Sequence, residues 1–225
     1  MNWPAIALSI KLAALVCAIL VILGMPIAYW VAFSRWRWKF IVESIVALPL
    51  VLPPTVLGFY ILVALGARSP LGRFWQALFG HGLAFTFEAL VVASVIYSLP
   101  FAVQPMASAF SLVDPQLMEA SSILGAFRLR TFFRVVLPLS LTGVLTGAVL
   151  TFAHTLGEFG VVLMVGGNIP GVTRTASIAI YDEVEALNYP AANQTALALL
   201  LLSFAVLSIV YALNRRIWTV WPSKR

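Results

Sequence analysis

Five apolar stretches, at about 5–33, 41–66, 84–112, 136–165 and 194–214, run through this sequence. Each reaches the roughly 20 residues that a helix needs to cross a bilayer core. In lipid the backbone has to satisfy its own polar groups, and a helix does so within a single segment. The pattern predicts an all-α, polytopic membrane protein with five transmembrane helices. Composition points the same way: 62% of the 225 residues are hydrophobic and only 10% are charged. A soluble domain of this length would carry far more charge. No linker or low-complexity run interrupts the chain, so residues 1–225 are expected to form a single membrane domain with its core at about 8–212.

The first stretch does not read as a signal peptide. It has no basic leading segment, contains Lys11, and continues well past the length of a cleaved apolar region. The net charge of +6 is no nucleic-acid signal either, because it is concentrated in short loops. Arg35, Arg37 and Lys39 follow the first stretch; Arg128, Arg130 and Arg134 follow the third; Arg215, Arg216, Lys224 and Arg225 follow the fifth. Arg68, Arg73 and Arg174 fall on the opposite side, with Asp182, Glu183 and Glu185. Basic loops stay on the cytoplasmic face, so the N-terminus is predicted outside and the C-terminus inside. The lone cysteine, Cys17, lies in the first stretch, where no intrachain disulfide is possible and a small packing residue is expected.

This orientation puts residues 114–138 in the cytoplasm. Asp114 suits a helix N-cap, and Pro115 suits the first helical position, where a missing N–H is harmless. Leu117, Ala120, Ser121 and Leu124 then share one helical face. Gly125 can take the left-handed conformation that ends a helix. A second short helix is expected to carry Arg128, Arg130 and Arg134. Glu119 is expected near the positive end of the first helix and beside its apolar ridge. Together these predict a helix–turn–helix with an apolar ridge and a basic flank.

Proline marks several of the apolar stretches. Pro49, Pro53 and Pro54 crowd six residues of the second, which predicts a discontinuous helix beside a translocation path. Pro26, Pro100, Pro105 and Pro138 are candidate breaks in the others. Glu158, set between Gly157 and Gly160, is an acid inside the fourth stretch and therefore a functional candidate. Its charge would repel an anion, so a structural bond to a partner subunit or a broken helix is expected of it. His154 reads as a packed polar residue, and Lys11 as a side chain snorkelling to the interface. The external segment 166–193 contains Asn168, Thr173 and Arg174, and predicts a short helix at about 176–188.

Several fixed positions in the cytoplasmic loop carry a family resemblance. Glu119-Ala120-Ser121, three residues, Gly125, nine residues, and Val135-Val136-Leu137-Pro138 follow the spacing of the EAA loop of ABC importer permeases. Ser121 replaces the second alanine and Val135 an isoleucine. The strings 48–54, Leu156-Gly157-Glu158-Phe159-Gly160, and 167–175 further resemble molybdate permeases of the methionine-transporter-like fold. Sulfate permeases are near relatives, but usually lack the continuation Pro170-Gly171-Val172-Thr173-Arg174-Thr175. The resemblance covers about 8–212. It implies a homodimer in the bacterial inner membrane, two copies of a cytoplasmic ATPase, and a periplasmic oxyanion-binding protein. ATP and Mg would be bound by the ATPase, leaving no cofactor or metal on this chain. ATPase contact would fall to Asp114, Leu117, Glu119, Ala120, Ser121, Leu124, Gly125 and Arg128. Pro53, Pro54, Gly157, Glu158 and Gly160 are pore or dimer-interface candidates.

Sulfate, thiosulfate and tungstate remain alternative cargoes at this stage. A secondary transporter is the alternative of a different class, but it would normally show internal repeats and coupled intramembrane charges. An enzyme is disfavoured, since the chain has two histidines, one cysteine and no paired intramembrane carboxylates. No Gly-rich phosphate loop ending in Gly-Lys-Ser/Thr is present, so any ATP hydrolysis belongs to another polypeptide.

Overall fold

The computed structural model describes residues 1–220. Lys224 and Arg225, counted above for topology, lie outside the described residues, as do the side chains of Arg215 and Arg216. The regular elements among the described residues are all helices, with no strand among them. Three helices are each long and apolar enough to cross a membrane: α1 (Trp3–Phe33), α5 (Phe87–Ser111) and α12 (Tyr189–Val220, apolar over Tyr189–Ser208). Two bent pairs bring the total to five if each pair is counted as one span.

α1, α5 and α9 (Leu141–Gly157) pack on one another as the central bundle, and α12 lies along α9. Leu12, Val16 and Leu20 of α1 meet Leu90, Val103, Met106 and Phe110 of α5 in a fully buried core. Helix ends are capped locally. The Asn2 side chain accepts from the Ala5 N–H at 3.2 Å, and Thr86 Oγ1 accepts from the Ala89 N–H at 3.2 Å. The α5–α9 crossing depends on small residues. A Cβ at Gly147 would lie 2.8 Å from the Ala102 carbonyl oxygen, and one at Gly143 would collide with Ala109. Gly143 and Gly147 are four residues apart and form a small-xxx-small stripe, the usual device for close helix approach in lipid.

The apolar stretches differ in how proline affects them. Pro26 in α1 and Pro100 and Pro105 in α5 sit inside continuous helices, so they do not break their spans as the sequence suggested. Neighbouring helices support the turns that a missing N–H weakens. In the second stretch, α2 (Lys39–Val51) and α3 (Pro54–Leu65) meet at 112° across Leu52 and Pro53, as the proline cluster predicted. Pro49 itself stays within α2.

The fourth stretch is not one helix. α7 (Arg128–Thr131), a π-helical turn (Phe132–Val136) and α8 (Leu137–Leu139) run to Ser140, where the chain bends by 76° into α9. The chain breaks again at Glu158 and Phe159 before α10 (Gly160–Gly166). Glu158 thus stands at a helix end with an extended backbone, ψ 136°, rather than within a continuous helix.

Outside the apolar stretches, α4 (Pro70–Phe79) is a further helix; Ser69 caps it by accepting from the Gly72 N–H at 2.8 Å. α11 (Ala176–Glu185) matches the expected external helix and stops three residues early. It is tied to α1 by the Ala176 N–H, which donates to Ser9 Oγ at 2.8 Å. Lys11 is exposed and places its ammonium 4.6 Å from the Phe87 ring centroid.

Candidate functional site

The loop after α5 folds into two short helices. Asp114 Oδ1 accepts from the Gln116 N–H at 2.9 Å, and Pro115 opens α6 (Pro115–Ile123). Gly125 has φ +76°. The Ala126 N–H donates to Ser121 O at 3.1 Å, and the Gly125 N–H to Ser122 O at 3.0 Å. This pair of bonds is a Schellman stop, which needs the left-handed residue that glycine provides. Ser121 Oγ and Thr131 Oγ1 share a hydrogen bond of 2.8 Å that holds α6 to α7. Thr131 is buried and was missed in the sequence, because nothing local to it signals a partner ten residues away.

Between these helices lies an open groove of about 350 Å³. Leu117, Ala120, Ser121 and Leu124 form one wall, and Arg130, Arg134 and Val135 the other. The predicted ridge and basic flank are therefore assembled, with the basic contribution coming from Arg130 and Arg134. Arg128 lies elsewhere, in a groove against α1. At the tip, Ile123 and Leu124 are 84% and 85% exposed. So much uncovered apolar surface on a polar loop marks a contact surface. Glu119 needs a correction: it is exposed, but it does not line this groove. At about 100° per residue it falls roughly opposite Leu117, Ala120 and Leu124 on α6.

The second constellation lies where the two broken stretches meet. α3 and α10 pack side by side. A Cβ at Gly160 would lie 2.8 Å from Pro54 Cβ, and one at Gly58 would lie 2.8 Å from Met164 Cβ. Pro54 and Gly160 are thus in contact, with Pro53 at one break and Gly157 and Glu158 at the other. Glu158 is only 5% exposed, and neither carboxylate oxygen has a hydrogen-bond partner among the described residues. Among the described residues it makes no bond to a broken helix. Ser94 and Thr151 also keep buried, unbonded hydroxyls. Close by in sequence, Ser98 Oγ bonds Thr155 Oγ1 at 2.9 Å and His154 Nδ1 at 3.0 Å. His154 stacks on Phe101 with centroids 4.0 Å apart, a packed polar residue as expected.

The external candidates form a third cluster. Asn168 Nδ2 donates to both Asp182 oxygens, at 2.8 and 2.7 Å, and Arg174 Nε donates to Asn168 Oδ1 at 2.6 Å. Arg174 also pairs with Asp182 at 3.5 Å, so its charge is largely neutralised within the chain. Thr173 is buried, donating to Gly166 O at 2.7 Å and accepting from the Ile169 N–H at 3.1 Å. Asp182 is the partner that sequence reasoning did not assign.

The family described as binding-protein-dependent transport system inner membrane component matches residues 21–219. This chain belongs to that family. It is an inner-membrane, non-catalytic permease subunit of an ABC transporter, a class in which a separate ATPase hydrolyses ATP. Among its relatives, the molybdenum transport system permease protein ModB of Azotobacter vinelandii is 51% identical over 211 residues, covering 94% of this chain and 93% of that protein. The Escherichia coli K12 ModB is 36% identical, covering 92% and 90%. A sulfate transport system permease protein CysT from Synechocystis is 32% identical, covering 86% and 68%. Two solved permeases share the fold. One comes from a bacterial alginate importer (TM-score 0.78, 15% identity, 95% of this chain and 79% of that one). The other is the methionine ABC transporter MetNI in an inward-facing conformation (TM-score 0.75, 17% identity, 96% of each chain).

Proposed function

We propose that this chain is the permease subunit of an ATP-driven molybdate importer. The observation that carries the reading is 51% identity, along 94% of the chain, to a molybdenum transport permease. The sulfate permease is a more distant relative. Two copies of the chain form the pore, with the breaks at Pro53–Pro54 and Gly157–Gly160 facing the path. Each bent pair counts as one span, giving five, with the N-terminus periplasmic and the C-terminus cytoplasmic. A cytoplasmic ATPase seats on each α6–α7 groove, and Leu124 is its apolar anchor. A periplasmic oxyanion-binding protein docks outside, near the Asn168–Arg174–Asp182 cluster. ATP-driven closure of the ATPase pair moves both grooves, which switches the pore from inward- to outward-open.

Uptake of radiolabelled molybdate in cells lacking their own permease tests this assignment. With its ATPase and binding protein, the chain should restore uptake that unlabelled tungstate competes and excess sulfate does not. Sulfate competition as strong as that of molybdate would overturn the cargo. Uptake driven by an ion gradient without the ATPase would overturn the class. Orientation is tested separately by single cysteines at His81 and Arg130 in a Cys17→Ser background. An impermeant maleimide should label the first from outside intact cells and the second only after lysis; labelling of both from outside would refute the topology.

A further inference from the structure

We propose that the groove between α1 and the α7 segment is a phospholipid site. In this site an anionic headgroup meets Arg128 and an acyl chain lies along α1. The groove encloses about 550 Å³, within the range of small-molecule sites. Ile22, Pro26 and Trp30 form its α1 side, and Leu129 and Phe133 its other side. Its floor is preformed. Tyr29 meets Phe132 edge-on at 5.4 Å, and Phe132 meets Phe110 in the same way at 5.8 Å.

Among the described residues, Arg128 is the single charged side chain lining this apolar groove. Among the described residues the ion pairs are Lys39–Glu43 and Arg174–Asp182, so no carboxylate holds Arg128. The complementary ligand carries one anionic group and a long apolar body. A small soluble anion would leave the apolar walls uncovered, and a purely apolar ligand would leave the guanidinium unmatched. A second copy of the chain is poorly suited. Of its eight acids, Asp182, Glu183 and Glu185 belong to the external segment and Glu88 to the first turn of α5, Glu158 is buried, Glu43 is already paired, and Asp114 caps α6, which leaves Glu119 as the one uncommitted acid a copy could offer.

Position favours lipid as well. The α1 side of the groove ends at a tryptophan cluster. Trp30 meets Trp36 at 6.0 Å, and the Arg37 guanidinium lies 5.5 Å from the Trp38 ring. Tryptophans with adjacent arginines mark the headgroup level of a bilayer, and basic pockets between spans bind anionic headgroups there. Only the choice of the cytoplasmic leaflet rests on the orientation proposed above. The occupant would bridge α1 to the segment that carries Arg130 and Arg134, and so brace the wall of the ATPase-facing groove.

The test uses the assembled transporter in mild detergent, titrated with phosphatidylglycerol or phosphatidylethanolamine and followed by native mass spectrometry. Wild type should hold phosphatidylglycerol roughly tenfold more tightly than Arg128→Gln, the scale of one charge-assisted contact. Ile22→Trp fills the groove without altering charge and should weaken retention as well. Arg73→Gln, a charge-matched change on α4, should leave it intact. Equal loss in Arg128→Gln and Arg73→Gln would overturn the site as non-specific charge attraction. Undiminished retention in Ile22→Trp would overturn the acyl-chain placement. A disulfide between two copies through Leu129→Cys would assign the groove to a subunit interface instead. Lipid retention is read without substrate, so failure of the molybdate assignment would not change it.

Discussion

Gly147→Leu is expected to abolish accumulation of folded permease. The Cβ of any side chain at this position would lie 2.8 Å from the Ala102 carbonyl oxygen and 3.2 Å from Met106 Cε. Methionine is adaptable and can move aside. The carbonyl cannot, because it belongs to the backbone of α5. Accommodation therefore requires α5 and α9 to separate along a tightly packed crossing that also depends on Gly143. Overpacking of well-packed cores costs about 1–3 kcal/mol, and a whole leucine exceeds what local repacking absorbs. Gly147→Ala should give the milder form, a purified protein with a clearly lower unfolding midpoint in detergent. Met106→Ala added to it should restore only part of the loss, since the carbonyl contact remains. Gly82→Ala, where nothing lies within 4 Å, should leave the midpoint unchanged. A Gly147→Leu protein that accumulates and melts like wild type would show that this crossing does not hold the bundle together.

Much of the helical plan was legible because the signals are local. Hydropathy located the long apolar helices, and the Asp114–Pro115 and Gly125 signals located both ends of α6, since caps depend on residues within a turn of the break. The proline cluster located the break between α2 and α3 for the same reason. Direction was not legible. The bend at Ser140 follows the candidate break Pro138 by two residues, but the bend at Glu158 lies in a run of continuous hydropathy with no proline beside it, and neither run gives an angle. Both bends are set by where α9 and α10 find partners, on α5 and α3. Two signals were present but unread. Ser69-Pro70 followed by Leu71, Phe74 and Leu78 is a capped amphipathic helix, α4. Gly143 and Gly147 are a small-residue stripe. In the loop, the placement of Glu119 beside the ridge failed on helical phase, and Arg128 was grouped with Arg130 and Arg134 by charge alone. Backbone phase separates them, so that Arg128 faces α1 while the other two face the groove.

Gly125→Val is expected to leave a stable permease in the membrane that couples only weakly to its ATPase. Space is not the constraint, because nothing lies within 4 Å of a Cβ built there. The constraint is the backbone, held at φ +76° by the two bonds that stop α6. A left-handed conformation costs an ordinary L-residue roughly 1–2 kcal/mol, and a β-branched residue more. Valine would relieve that strain by giving up the Schellman bonds, which shifts the exposed Leu124 and the α6 wall of the groove. The bundle should be untouched, since Ile123, Leu124 and Gly125 are exposed and a Cβ at Gly125 meets nothing within 4 Å. Binding of the ATPase to detergent-solubilised permease should fall roughly tenfold, the equivalent of about 1.4 kcal/mol, with ATP-driven uptake falling alongside it. Asparagine tolerates the left-handed region far better than valine, so Gly125→Asn should retain most of both activities. The ordering glycine, asparagine, alanine, valine is what separates a backbone requirement from a size requirement. If valine and asparagine couple as well as glycine, the turn is not what positions Leu124 for the ATPase.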